Sequence, residues 1–274
     1  MFSTTHEIDY ARYKQLKLSL EDGIMTVTLS NPGKRNAINA ESCEELCHIW
    51  DDLHLDPNVE VIILTGEGDS FCSGADVAAL ADATQTEPRK SLTNPSSRLA
   101  RKQLMSMLDC EKPIIAKVRG VAYGLGLTLA LACDMVFAAD GTRLCDSHVK
   151  VGLVAGDGGV LLWPLAVGIH RAKEYLMTGE PMTADVAERI GLINRALPGD
   201  KLDAHVLALA KKLQALPPHA VSYTKHALNQ VLKQVAQPGF ETSLGYEIYT
   251  MGMKDVAEAT RAFVEKRKGK FTGT

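Results

Sequence analysis

The chain has 274 residues, 46% of them apolar and 23% charged, with a net charge of −3. That length suits one large domain or a domain with a small appendage, and the composition is that of an ordinary globular protein. The mixed, mildly acidic charge argues against a nucleic-acid or membrane-surface binder, and no apolar run is long enough to span a bilayer. The N-terminal Met1-Phe2-Ser3-Thr4-Thr5-His6-Glu7 lacks a basic-then-apolar leader pattern. The six cysteines form no CxxC pair. These features fit reduced thiols in a cytoplasmic protein.

In chain order, Leu16–Leu20 and Ile24–Leu29 alternate around Glu21-Asp22-Gly23, which predicts a hairpin closed by Asn31-Pro32-Gly33. Leu46, Ile49, Trp50 and Leu53 are spaced for a single helix over 40–55 that stops at Asp56-Pro57. The run Val61-Ile62-Ile63-Leu64 predicts a buried strand, ended by the turn Ser73-Gly74-Ala75-Asp76 and followed by a short helix. Residues 82–95 are polar and aperiodic, the composition of a loop long enough to act as a lid. A helix over 96–110 then leads into a second unit of the same kind. There Ile114-Ile115-Ala116-Lys117-Val118 runs into Gly120-Val121-Ala122-Tyr123-Gly124-Leu125-Gly126 and a helix. Residues 134–139 read as another buried strand. Beyond Gly158 the pattern is almost wholly helical, with breaks expected at Gly168, Gly179, Gly191, Pro217-Pro218 and Pro238-Gly239. The fold class is α/β, with a core over 1–200 and a helical region over 201–274.

The two strand–glycine–helix corners carry the chemistry. Each leaves outward-facing N–H groups backed by the positive end of a helix. Two such corners meeting at one point form an oxyanion hole for a carbonyl oxygen that becomes negative. Neither histidines nor carboxylates cluster at metal-ligand spacing, so no metal and no permanently bound cofactor are expected.

Asn31-Pro32-Gly33-Lys34-Arg35-Asn36-Ala37-Ile38-Asn39 resembles the crotonase (enoyl-CoA hydratase/isomerase) superfamily. So do Phe71-Cys72-Ser73-Gly74-Ala75-Asp76, Lys112 to Gly120, Cys133 to Ala138, Thr178-Gly179-Glu180, Gly191 to Asn194 and the tail Ala262 to Arg267. The likeness runs in order from about residue 15 to the end. It implies a superhelix of ββα turns with a C-terminal trimerisation region, assembled as a homotrimer or a dimer of trimers. It also implies an acyl-CoA substrate, coenzyme A being part of the substrate, whose thioester carbonyl sits between the N–H groups of Ala75 and Leu125. By the same resemblance Lys34 and Arg35 approach the CoA phosphates and adenine, and Phe263 and Lys266 close over CoA, often from a neighbouring subunit. Ala37, Ser73, Asp76, Tyr123, Gly124 and Gly152 fall on the substrate-binding stretches. Lys34, Arg35 and Lys266 also read as plain solvated charge. Asp76 fits an N-cap that positions Ala75, and Tyr123 fits either the acyl site or the core.

Hydratases of the family carry two glutamates beside the hole, and here Thr128 and His148 occupy those positions. Threonine has no titratable form near neutrality, so hydration by the usual pair is not expected. His148, nine residues before Asp157, suggests instead an imidazole base near pH 7 whose tautomer is held by a carboxylate. That spacing resembles the 6-oxocamphor hydrolase branch, which cleaves cyclic β-diketones with water and no CoA; the second histidine of that branch falls at Leu125 and is absent. A structural histidine at 148 and an Asp157 N-cap fit the same residues. Two enzymatic readings follow, an acyl-CoA enolate enzyme and a CoA-independent diketone hydrolase, against a binding-only protein that the charge disfavours.

Overall fold

The computed structural model describes residues 8–77 and 95–274. All of the expected 82–95 lid but its last residue, and most of the helix after Asp76, lie outside the described residues. The main sheet has six strands in the order β1(Leu16–Glu21), β2(Ile24–Leu29), β3(Val61–Gly66), β4(Ile114–Val118), β6(Met135–Ala139) and β9(Arg195–Leu197). Only β1 and β2, the expected hairpin, are antiparallel; every later pair is parallel. A second sheet joins β5(Val121–Tyr123), β7(Arg143–Cys145) and the two-residue β8(Met182–Thr183).

Alternation along the central strands explains why they read as unbroken apolar runs. Ile62, Leu64, Ile114, Ala116 and Val118 enter the main core with Trp50, Phe71 and Trp163. Val61, Ile63, Ile115 and Phe137 enter a second cluster with Leu202 and Val206 of a helix over Leu202–Gln214. Both faces are therefore covered, as parallel strands require.

Several sequence expectations change. The helix expected over 40–55 is two, α1(Ala40–Leu46) and α2(Ile49–Leu55), parted at Cys47-His48. Cys47 and His48 each donate to a carbonyl three residues back, which tightens the chain and re-aims α2. Beyond Gly158 two short strands, β8 and β9, interrupt the helices. Pro238 does not break the chain, since one helix runs over Pro218–Met251. Phe240 and Leu244, just past the proline, are buried in the core, and that packing holds the helix together across the lost hydrogen bond. Gly168, Gly179 and Gly191 do end helices, the last two in left-handed geometry.

The long helix is fastened to the body at its start. Lys225 Nζ lies 2.8 Å from Asp134 Oδ2 and donates to the Lys112 carbonyl at 2.8 Å. Asn229 Nδ2 donates to the Leu108 carbonyl at 2.9 Å, and Arg101 pairs with Glu241 further along. These contacts fix where the last turns of the helix land, which is beside the site. Among the described residues no helix is long and apolar enough to cross a membrane.

Candidate active site

The first corner is stitched from two sides. The Ile38 amide donates to the Gly74 carbonyl at 2.8 Å, and the Asp76 amide donates to Ile38 at 3.0 Å. Ala75 is thus bridged in parallel to Ile38, and in that geometry its own N–H points to the opposite side. Buried Ala37 lies just before the bridge, and the loop holding Arg35 and Asn36 in left-handed conformations is tied down by it. Ser73 donates through its amide to the Arg35 carbonyl and through its hydroxyl to the Lys34 carbonyl, both at 3.0 Å. Gly74 has a φ of 94°, and a Cβ there would fall 2.7 Å from the Tyr123 carbonyl oxygen and 3.7 Å from the Leu125 nitrogen. The two corners are therefore in contact.

The second corner follows from β5. Tyr123 donates to the Cys72 carbonyl at 3.0 Å and Gly124 to the Cys145 carbonyl at 2.8 Å. A helix starts at Leu125 and runs to Ala132. The Gly124 carbonyl takes the amides of Leu127 and Thr128, which leaves the Leu125 amide at the helix start without an intrahelical acceptor. A Cβ on Gly126 would lie 2.7 Å from both Cys72 Cβ and the Cys72 carbonyl oxygen, so only glycine lets this helix approach the first corner.

The side chains beside these corners form an ionic cluster. His148, in a 3₁₀ turn over His148–Val151, is buried, and its Cε1 lies 3.8 Å from a Cβ built on Gly124. Its Nδ1 meets Asp146 Oδ1 at 2.7 Å and its Nε2 meets Asp157 Oδ2 at 3.0 Å. The other Asp157 oxygen accepts the Thr128 hydroxyl at 2.9 Å. Burial alone would depress the imidazolium pKa. The facing Asp157 and Asp146 carboxylates outweigh it and raise the pKa well above the usual histidine value. Where a free imidazole base near pH 7 was expected, the two flanking carboxylates favour the protonated ring.

Two cluster members escaped the sequence reading. Asp146 stands two residues before His148, and that close spacing was the available signal. Glu247 arrives from the far end of the Pro218–Met251 helix, about a hundred residues away in the chain. It is 5% exposed, and its Oε2 makes no hydrogen bond among the described residues. A Cβ on Gly156, next to Asp157, would lie 2.6 Å from this same oxygen, so the carboxyl packs directly over the Asp157 loop. Burial first and the field of Asp157 next, opposed by His148, push the Glu247 carboxyl up to about 8. It is a neutral acid at pH 7, able to donate a proton.

The remaining expected site residues make no side-chain hydrogen bond or ion pair with this cluster among the described residues. Lys34 Nζ pairs with Asp76 Oδ2 at 2.6 Å, so both charges are engaged with each other. Gly152 packs against Val256 of the last helix, and Tyr123 is half-buried. Phe263 is 61% exposed near the end of that helix, and Lys266 follows it in left-handed geometry. Trp163 is core. No cluster of His, Cys, Asp or Glu suited to a metal occurs among the described residues.

The model of the enoyl-CoA hydratase/isomerase family matches residues 19–274. A short-chain-enoyl-CoA hydratase of Clostridium acetobutylicum is 32% identical over 92% of this chain and 95% of its own. A 1,2-epoxyphenylacetyl-CoA isomerase of Escherichia coli is 29% identical over 93% and 97%. The crystal structure of an enoyl-CoA hydratase/isomerase from Mycobacterium paratuberculosis superposes with a TM-score of 0.84 at 32% identity, covering 90% of this chain and 97% of that one. With the adjoining corners and the mixed α/β architecture, these likenesses place the chain in the enoyl-CoA hydratase/isomerase family, within the crotonase superfamily.

Proposed function

We propose that the protein acts on an acyl-CoA thioester through an enolate, with its proton chemistry carried by an Asp146–His148–Asp157–Glu247 cluster in place of two glutamates. The observation that carries this reading is the contact of the Gly74 and Gly124 corners with the His148 ring beside them. The Ala75 and Leu125 amides hold the thioester oxygen, whose charge grows as the α-proton leaves. Asp157, oriented by Thr128 and His148, takes that proton. His148 holds Asp146 and Asp157 in place through its two ring nitrogens, and Glu247 returns a proton to the intermediate. Relatives that act on enoyl-CoA and on an epoxy-acyl-CoA support the substrate class. The 1–200 core supplies both corners and most of the cluster, while 201–274 adds Glu247 and forms the region through which copies associate as a trimer or a pair of trimers. Leu228, Val231 and Val235, exposed along the long helix, give that region an apolar face.

The test is exchange of the acyl α-hydrogen in D₂O, followed by mass spectrometry on a series of acyl-CoA esters. Exchange that needs His148 supports the proposal, and absence of exchange with every ester rejects it. One observation favours a second reading, CoA-independent hydrolysis of a cyclic β-diketone. Lys34, an expected phosphate contact, has its charge engaged by Asp76. Turnover of a bicyclic 1,3-diketone, with no heat on titration of any CoA ester, would establish that reading instead.

A further inference from the structure

We propose that Ser147 is a third donor at the second corner, its hydroxyl donating to the same thioester oxygen that the Ala75 and Leu125 amides hold, and is thus a catalytic residue for enolate formation. The inference rests on the reading above, that the two corners grip the reacting carbonyl. It deepens that reading by adding a side chain to a hole otherwise built of main chain.

Ser147 stands just before the 3₁₀ turn over His148–Val151, a position where a serine side chain ordinarily caps the turn behind it. Here it does not. The His148 amide goes to Asp146 Oδ1 at 3.4 Å, and the Lys150 amide goes to the Ser147 carbonyl at 3.0 Å. Capping is thereby done by other atoms, and the Ser147 hydroxyl makes no hydrogen bond among the described residues.

That hydroxyl lies against the second corner instead. A Cβ built on Gly124 would fall 3.3 Å from Ser147 Oγ and 3.8 Å from His148 Cε1. Gly124 has a φ of 49° and no side chain to fill this space, so Oγ faces the bare main chain that leads into the Leu125 amide. Ser147 is half-buried, which leaves it open to a ligand. A serine hydroxyl rotates freely and, one residue from that amide, can share an acceptor with it.

The surroundings make it a donor and not a nucleophile. A nucleophilic serine needs a base within hydrogen-bond reach. Both nitrogens of His148 are taken, by Asp146 at 2.7 Å and by Asp157 at 3.0 Å, and the ring turns its Cε1 carbon to the corner. Ser147 therefore keeps its proton. Beside an oxygen that gains negative charge, such a hydroxyl stabilises that charge by donating to it.

The experiment compares full-length wild type, Ser147→Ala and Ser147→Cys on two esters. Acetoacetyl-CoA ionises to an enolate, and its ultraviolet absorbance when bound reads how strongly the site holds that charge. Butyryl-CoA presents a thioester carbonyl without ready ionisation. Ser147→Ala should lower the kcat of α-hydrogen exchange by about 10²-fold at nearly constant KM. It should also remove most of the enolate absorbance, while butyryl-CoA binding in calorimetry changes by less than about 3-fold. Ser147→Cys keeps the packing but offers only a weak S–H donor, and it should behave like alanine. Equal weakening of both esters in Ser147→Ala, exchange and enolate absorbance like wild type in that variant, or full activity in Ser147→Cys would each overturn the assignment. Wild type that is silent with both esters would instead reject the acyl-CoA reading itself, and the role of Ser147 with it.

Discussion

The two halves of the site are built on different principles. The corners at Ala75 and Leu125 are main-chain devices, requiring only glycines that permit a left-handed turn at Gly74 and a close crossing at Gly126. The cluster around His148 is a side-chain device drawn from four separate places: the residue after β7, a 3₁₀ turn, a glycine loop and the far end of the long helix. The first tolerates sequence change as long as the turns survive. The second depends on long-range docking, including the Lys225–Asp134 pair that fixes the long helix. The chemistry of the site can therefore diverge at the cluster while the main-chain corners stay constant.

His148→Ala breaks the cluster and leaves the corners alone. It should lower α-hydrogen exchange by about 10²-fold, because Asp157 loses the ring that orients it. It should also cost about 3–5 kcal/mol in urea unfolding, because Asp146 and Asp157 remain buried without their cation. A protein that loses the stability but exchanges normally per folded molecule would show that the cluster is only structural.

Glu247→Gln separates burial from catalysis. In the wild type the folded-state pKa is raised to about 8, so between roughly pH 4.5 and 8 the native state holds a proton that the unfolded chain releases. Stability should accordingly fall as pH rises through this window, by up to about 1.4 kcal/mol per pH unit. His148 acts in the same direction at higher pH. Its raised pKa makes its contribution complete below roughly pH 6.5 and lost as pH climbs through the folded value. In Glu247→Gln the decline below pH 6.5 should disappear while the later one persists. Urea titrations at several pH values read this directly, and an unchanged profile would mean that Glu247 is ionised in the folded protein.

The complementary change spares the cluster and disturbs the corners. Gly126→Ala keeps helical geometry but puts a methyl 2.7 Å from Cys72, so the helix starting at Leu125 must move away from the first corner. Misplacing one donor of the pair should slow exchange by about 10–10²-fold. The pH dependence of both stability and exchange should keep its wild-type shape. A shifted pH profile would show that the corners and the cluster are not separable.

The same division explains what could be read from the sequence. Hairpin, central strands and both corners were legible because their signals are local: alternation, apolar runs and glycine at fixed offsets. His148 drew notice because it stands at a position where the resemblance puts a glutamate, and Asp157 because it follows nine residues later across a glycine turn. Glu247 was not, since nothing near it in the chain marks it. It becomes part of the site only through the docking of a 34-residue helix that Pro238-Gly239 had seemed to divide. Tertiary packing by Phe240 and Leu244 overrode the local break, and the hidden acid came with the continuous helix. The second carboxylate against His148, Asp146, was not part of that reading, and its contact at 2.7 Å adds to the upward pull on the ring's pKa.

Thr128 tests the junction between the two halves, because it sits on the helix that begins at the second corner and reaches the cluster through Asp157. Thr128→Val keeps the shape and removes the hydroxyl. The loss of a hydrogen bond to a charged group should cost about 1.5 kcal/mol in unfolding free energy, the smallest effect in this series. The Asp157 carboxylate would keep only His148 as an anchor and could turn away from the α-carbon, so exchange should slow by roughly 10-fold, through kcat and not KM. Thr128→Ser supplies the hydroxyl again and should recover most of the rate. If valine and serine behave alike, the hydroxyl does not orient Asp157, and the link between the corner helix and the ionic cluster is one of packing alone.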